Sequence, residues 1–333
     1  MLPDAEQEMV LALEFHTALA SIFNCSRIWR QETTPGVDFA PLPTPPARRN
    51  RRAGMQAVRL ERVFSKRSET FMDLGINGKV AIITGGSEGI GFAAASRLSN
   101  EGAQVVLVSR TQADLDARAA SLSKASGNEV MGIACDMRNE DEVEAMVKAV
   151  VARFGGIDIL INNAGTSMAT KFASMTNDMV DEDFGLKVKG AIFAVRHAYP
   201  YLQQGGGVIC NTTTPGGKAA RGGSQPTSMS RAAGISLTKA WAHEFAADGI
   251  RVNTVCVGMF KSRQHQRRFE SRHANDGNYS IDDHWDSLCT NVPLGRVGEA
   301  EEAGDVIAFL CSARASYVTG TAINVDGGAS PVV

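Results

Sequence analysis

Paired cysteines are missing from this chain. Its six cysteines (Cys25, Cys135, Cys210, Cys256, Cys289, Cys311) are scattered over 333 residues with no Cys-x-x-Cys. That spacing offers zinc no paired ligands and no disulfide framework, so buried reduced thiols are expected. Long apolar runs are missing as well, and none approaches the roughly 20 residues that cross a bilayer. Neither sign of charge dominates: 34 basic side chains face 36 acidic ones, for a net charge of −2. No global attraction to nucleic acid or to a membrane surface follows from that balance. Asp4, Glu6, Glu8 and Glu14 crowd the amino terminus, where a targeting peptide is poor in acids. Together these absences point to a cytoplasmic protein.

Against them stands a glycine-rich turn. Val80, Ala81, Ile82 and Ile83 form a short apolar run that reads as a buried strand. Gly85-Gly86-Ser87-Glu88-Gly89-Ile90-Gly91 follows, then a helical pattern through Ala93, Ala94, Leu98 and Glu101. A strand, glycines and a helix in that order make a phosphate cradle. Gly85, Gly89 and Gly91 let the backbone turn tightly, while the first free N–H groups of the helix face an anion. A plain loop needing positive φ is the competing reading for the glycines taken alone.

The next strand, Gln104 to Val108, ends in Ser109-Arg110-Thr111. A carboxylate at this place holds a ribose 2′-hydroxyl, whereas a hydroxyl followed by a basic residue suits a 2′-phosphate. Ser109 and Arg110 therefore favour NADP over NAD, although Arg110 as a solvated surface residue is the alternative. Glu88 is a mild counter-signal. A third strand, Val130 to Ala134, closes on Cys135-Asp136-Met137, and a fourth, Ile157 to Ile161, runs into Asn162-Asn163-Ala164-Gly165. Further on come Gly249-Ile250-Arg251-Val252-Asn253, Val292-Pro293-Leu294-Gly295-Arg296, Tyr317-Val318-Thr319-Gly320 and Val325-Asp326-Gly327-Gly328.

This series of motifs resembles the short-chain dehydrogenase/reductase family from about Met72 to Val333. The resemblance implies a single α/β domain, a Rossmann-type doubly wound parallel sheet with helices on both faces. It also implies a cofactor site at Gly85, Ser87, Glu88, Gly89, Ile90, Gly91, Ser109, Arg110, Asp136, Met137, Asn163, Ala164, Gly165, Arg231 and Gly258. Asp136 takes the family's place for an acid near the adenine ring.

The family's chemistry rests on Asn, Ser, Tyr and Lys, the last two in a Tyr-x-x-x-Lys pair. The surrounding residues align Lys187 with the Asn, Thr214 with the Ser, Thr227 with the Tyr and Arg231 with the Lys. All four differ, and the Pro-Gly that opens the substrate loop reads Val257-Gly258. Threonine is far less acidic than a phenol near pKa 10, and a guanidinium stays protonated. Arg231 can still bond ribose hydroxyls, and Thr214 keeps a hydroxyl able to polarise a substrate oxygen. Lys187, desolvated beside Arg231, is the candidate substitute acid; a lysine that reaches solvent is the alternative.

Residues 259–291 fall where the family carries a substrate lid. Lys261, Arg263, Arg267, Arg268 and Arg272 make the lid basic and suit an acidic small molecule or a CoA thioester. Tyr279, His265, His273 and His284 in the same segment read as surface residues. Residues 1–71 form an extension, with a possible helix over Glu6 to Phe23, the proline-rich Pro41 to Pro46 and the basic run Arg48 to Arg67. It reads as disordered or as a start-site artefact, since Met72-Asp73-Leu74-Gly75 followed by Asn77-Gly78-Lys79-Val80 resembles an ordinary family amino terminus; nucleic-acid binding by the arginines lacks the support of interleaved aromatics. By resemblance the chain pairs through two long helices, into a homodimer or homotetramer. Two function classes stay open. One is an NADP-dependent oxidoreductase acting on a carbonyl or an activated double bond with a non-standard acid/base set. The other is a nucleotide-binding protein without redox turnover: a sensor, a partner subunit, or a lyase or isomerase on the same scaffold. NADP(H) is expected to bind more tightly than NAD(H), and Arg110→Ala to remove most of that difference, about 1.5–3 kcal/mol for one charge-assisted contact. Equal affinities in calorimetry would refute the assignment.

Overall fold

The computed structural model describes residues 72–333. The expectations for residues 1–71, including the helix over Glu6 to Phe23, lie outside the described residues.

Seven parallel strands form one sheet in the order β3-β2-β1-β4-β5-β6-β7. They are β1 (Val80–Thr84), β2 (Gln104–Ser109), β3 (Val130–Ala134), β4 (Ile159–Asn162), β5 (Val208–Thr213), β6 (Arg251–Val257) and β7 (Ala322–Val325). The crossing helices are α1 (Gly89–Asn100), α2 (Gln112–Ser126), α3 (Glu140–Phe154), α4 (Asn177–Phe184), α5 (Gly190–Leu202), α6 (Thr227–Glu244), α7 (Arg263–His273), α8 (Ile281–Cys289) and α9 (Ala300–Cys311). This is the doubly wound Rossmann-type sheet expected from the motifs. The fourth strand starts at Ile159, two residues later than the apolar run suggests, because Asp158 is spent on Lys79 Nζ (2.7 Å) and the Val80 backbone N–H (2.9 Å).

Burial on both faces explains why the strands read as continuous apolar runs. Along β1, Ala81 and Ile83 enter one core cluster while Val80 and Ile82 enter the other. Along β2, Val105 and Leu107 alternate in the same way with Val106 and Val108. A one-residue slip would exchange the two cores, so the register Val80↔Gln104 through Thr84↔Val108 is held from both sides.

The chain moves from β1 outward to β3 and then returns to the other side of β1 for β4. That reversal opens a crevice beyond the carboxyl ends of β1 and β4, where ligands of such sheets bind. Both rims are tied to one hydroxyl: Thr84 Oγ1 accepts from Asn163 N (2.9 Å) and Ala164 N (3.0 Å). Asn163 Nδ2 donates back to Thr84 O and Gly85 O (3.1 and 3.2 Å). A Cβ on Gly91 would stand 2.3 Å from Gly85 O and 2.4 Å from Asn163 Nδ2, so only glycine lets α1 begin this close to the turn.

Helices α1 and α9 pack equally closely on one face. A Cβ on Gly304 would lie 2.9 Å from the carbonyl carbon of Ala93 and 3.0 Å from Ala94 N, both backbone atoms that cannot swing away. Gly304→Ala is therefore expected to lower stability by about 1–3 kcal/mol, although the same change in an open helix adds about 0.5–1 kcal/mol. Thermal or urea unfolding checks the sign, and a more stable variant would show slack between the helices.

Candidate active site

Helix α4 is capped by Thr176, whose hydroxyl accepts from Met179 N (3.3 Å), and is followed by a π-helical turn at Gly185–Lys189 before α5 continues. Such wide turns often mark functional positions in helices. This one turns Asp183 and Lys187, four residues apart, into the protein interior, where their side chains are 0% and 2% exposed. They form a close ion pair. Across from them the start of α6 presents Thr227, Ser230 and Arg231.

Asp183 gathers the donors. Ser230 Oγ donates to Asp183 Oδ2 at 2.5 Å, and Thr227 Oγ1 lies 3.3 Å from Asp183 Oδ1. Lys187 Nζ donates toward Thr227 Oγ1 at 3.4 Å, and Thr227 Oγ1 also accepts from Met168 N at 3.0 Å. Arg231 sends Nη1 to the carbonyl of Thr212 at 2.6 Å and enters no ion pair among the described residues. Gly165 covers both cations: a Cβ there would stand 2.8 Å from Arg231 Nη2 and 3.4 Å from Lys187 Cε.

Burial draws the Lys187 ammonium down to about 8, helped by the Arg231 charge and opposed by Asp183. Burial likewise draws Arg231 down to about 10. A lysine that reaches solvent is thus the wrong reading of position 187; the π-turn points it inward, where a carboxylate is already waiting. The structure brings Lys187, Thr227 and Arg231 together. Thr214 follows the carboxyl end of β5, directly before the short Pro215–Gly217 turn, whose Gly217 packs against the Arg231 backbone. Asp183 and Ser230 escaped the sequence reading. Their available signals were the acid-to-lysine spacing of four and the third hydroxyl inside Thr227-Ser228-Met229-Ser230-Arg231.

Along the rest of the crevice, Ser87 and Ile90 are half-buried and Glu88 and Arg110 exposed. Arg110 stands just past the end of β2, where its positive charge helps to lower the Asp136 carboxyl. The Asp136 carboxylate is already engaged: Arg138 Nη2 donates at 2.6 Å and Nε at 3.0 and 3.1 Å. These bonds hold the carboxyl below its usual range. Met137 is buried against α5, with its carbonyl 2.8 Å from where a Gly190 Cβ would be. Gly258 N donates to Val325 O (2.9 Å), fixing the start of the lid to the sheet.

The lid differs from its sequence reading in one respect. Tyr279 and His284, read as surface residues, are 9% and 6% exposed. Helix α7 carries a single large apolar side chain, Phe269, so rings rather than aliphatics fill the space between α7 and α8. Phe269 lies 6.3 Å from Tyr279 and 6.1 Å from His284, and His284 lies 5.3 Å from Trp285, centroid to centroid. His265 is half-buried in the same cluster, which holds its imidazole below the usual range. The basic set is partly spent: Lys261 pairs with Glu299, Arg263 stands 3.5 Å from Glu88, and Arg272 lies 3.9 Å over the Tyr279 ring. Arg267 and Arg268 stay exposed. Among the described residues no helix is long and apolar enough to cross a membrane.

A glycine cradle, a reversed sheet and a polar cluster beside both make up a Rossmann-type α/β fold, and comparison with known proteins places the chain among oxidoreductases. A family profile described as Enoyl-(Acyl carrier protein) reductase matches residues 85–330. The chain is 36% identical over 269 residues to 4-formylbenzenesulfonate dehydrogenase TsaC1/TsaC2 of Comamonas testosteroni, covering 77% of this chain and 99% of that one. L-sorbose reductase from Gluconobacter frateurii, complexed with NADPH and L-sorbose, superposes with a TM-score of 0.76 at 32% identity, over 79% and 100% of the two chains. An NADPH-bound short chain oxidoreductase of Pseudomonas aeruginosa PAO1, described as containing an atypical catalytic center, gives a TM-score of 0.71 at 33% identity, over 77% and 98%. The chain belongs to the short-chain dehydrogenase/reductase family.

The buried lysine has a thermodynamic signature. Lys187 keeps its proton up to about 10.5 when unfolded but only to about 8 when folded. Between those values the unfolded chain binds more protons, so stability must rise with pH, and below 8 the contribution is flat. The rise is on the order of 3 kcal/mol at most. Urea unfolding from pH 7 to 10 is expected to show this rise in the native protein and to lose it in Lys187→Met. Parallel curves for the two proteins would contradict the buried ammonium.

Proposed function

We propose that the protein is an NADP-dependent oxidoreductase that moves hydride to or from a carbonyl or an activated double bond, using an acid/base set in which Lys187 and Thr227 take the place of the family's tyrosine. The observation that carries this reading is the buried Asp183–Lys187–Thr227 contact set beside Arg231. A nicotinamide cofactor supplies the hydride. The residues present fit such a cofactor. The glycine turn leaves room for a pyrophosphate against the start of α1, Arg110 offers charge to a 2′-phosphate, and Arg231 Nη2 faces the Gly165 backbone with donors to spare. NADPH-bound relatives of similar fold support the nicotinamide part of the reading.

In the reducing direction the substrate oxygen gains charge and needs a proton. Thr227 Oγ1 can give its own proton and take one from Lys187 Nζ, 3.4 Å away. An ammonium drawn to about 8 is matched to that task near neutral pH. Asp183 keeps the ammonium in place, and Ser230 keeps Asp183 in place. Arg231 lowers the proton affinity of Lys187 and adds positive charge where an alkoxide or enolate would form. Thr214 is the remaining hydroxyl able to orient the substrate oxygen. The lid arginines Arg267 and Arg268 favour an acidic substrate or a CoA thioester. A cytoplasmic homodimer or homotetramer and a domain spanning residues 72–333 complete the reading.

One observation favours the alternative, a nucleotide-binding protein without turnover. Lys187 and Thr227 are sealed at 2% side-chain and 9% residue exposure, so a substrate must approach closely to use them. A single assay separates the two: loss of NADPH absorbance over a panel of ketones, aldehydes and enoyl thioesters, with cofactor binding measured in parallel. Turnover is expected to fall as pH rises through about 8, and Lys187→Ala to lower kcat at least about tenfold, or roughly 1.4 kcal/mol. Unchanged turnover in that variant rules out Lys187 as the acid, and NADPH binding with no turnover on any substrate supports the alternative.

A further inference from the structure

Beside Arg231, between α5, α6 and the ends of β4 and β5, lies a partly enclosed cavity of about 20 Å³. Three buried polar atoms in its wall have no partner in the protein: Arg231 Nε, Asn162 Oδ1 and Thr212 Oγ1. They come from three different elements. We propose that this cavity is a binding site for one resident water molecule, and that this water sets the orientation of the Arg231 guanidinium.

Size and polarity select the ligand. A water needs about 10–15 Å³ of such space and two to four polar partners, and this wall supplies three. The direction of each hydrogen bond can be traced. Thr238 Oγ1 donates to Gly234 O (2.9 Å), so it accepts from Asn211 Nδ2 (2.8 Å). Asn211 Oδ1 is then free to accept from Asn162 Nδ2 (2.9 Å), which turns Asn162 Oδ1 toward the cavity. The wall therefore presents one donor (Arg231 Nε), one acceptor (Asn162 Oδ1) and one hydroxyl that can be either (Thr212). An anion would face the Asn162 oxygen, and a cation would face the guanidinium. Water alone accepts from Nε while donating to both oxygens.

The consequence concerns Arg231. Within the protein its head is held by one bond, Nη1 to Thr212 O, which leaves rotation about that contact open. A second anchor on Nε fixes the plane of the guanidinium, with Nη2 toward Gly165 and the charge beside Lys187. Thr212 and Asn162 are thus positioning residues acting through the water.

The test is a crystal structure of the full chain at a resolution where ordered waters are resolved, with a bromide soak, together with Thr212→Val. A water peak 2.7–3.2 Å from all three atoms in every copy is expected, without anomalous signal from bromide. In Thr212→Val, Arg231 is expected to turn away from Lys187, so the alkaline rise in stability begins at higher pH and the Kd for NADPH rises three- to tenfold. Absence of the peak, direct bonds among the three atoms, or a bromide in the cavity would each overturn the site. A well-placed peak with unchanged Arg231, pH dependence and Kd in the variant would overturn the orienting role. Neither the density nor the stability curve depends on turnover, so a protein that proves catalytically silent still decides the matter.

Discussion

One carboxylate organises this site. Asp183 sits at zero side-chain exposure and receives a lysine from its own helix and two hydroxyl-bearing side chains from α6. An ion buried this way costs several kcal/mol in lost hydration, and only close, well-directed partners repay it. The partners here also join two elements far apart in sequence. The α4–α5 segment and α6 meet at the carboxylate, so the electrostatics of the site and the docking of two helices are one interaction. The positive side is not balanced: Lys187 and Arg231 lie beside a single anion. Burial draws the ammonium toward neutrality, and this surplus adds to the effect.

The sheet supplies the rigidity that such a cluster requires. Thr84 closes β1 with a hydroxyl that donates to Ile161 O (3.2 Å) and accepts two backbone N–H groups from the turn after β4. Gly165, three residues beyond Asn162, then rests against Arg231. A displacement at the end of β1 would be transmitted to the guanidinium through four residues of backbone. Close packing leaves little room to absorb it, since the two cores flanking these strands are filled by aliphatic side chains in alternation.

Much of this was legible in the sequence, for identifiable reasons. Strands buried on both faces are plain runs of Val, Ile and Leu, and the glycine turn is a local backbone requirement, so both can be read within a few residues. The parallel direction of the strands follows because each alternates with a helix. Lys187, Thr227 and Arg231 could be singled out only by their alignment with the family's motif, and their inward grouping depends on a π-turn that no periodicity announces. Asp183 was hidden because an acid four residues before a lysine is also the commonest pattern of a solvated helix face. Tyr279 and His284 were misread for the opposite reason: a polar, arginine-rich segment gives no stripe of aliphatics, yet rings can still make a core.

That ring core sets the lid apart from the rest of the molecule. The sheet is held by two continuous aliphatic clusters and a full ladder of parallel pairing. The lid has Phe269, Tyr279, Trp285 and three imidazoles between two short helices, with exposed ion pairs at its edges. Exposed pairs such as Arg263 with Glu88 contribute about 0–1 kcal/mol each. Residues 259–291 are therefore packed by fewer and more polar contacts than any strand. The lid's amino-terminal side is anchored: Val257 and Gly258 bond β7, and Lys261 N donates to Gly298 O (2.9 Å).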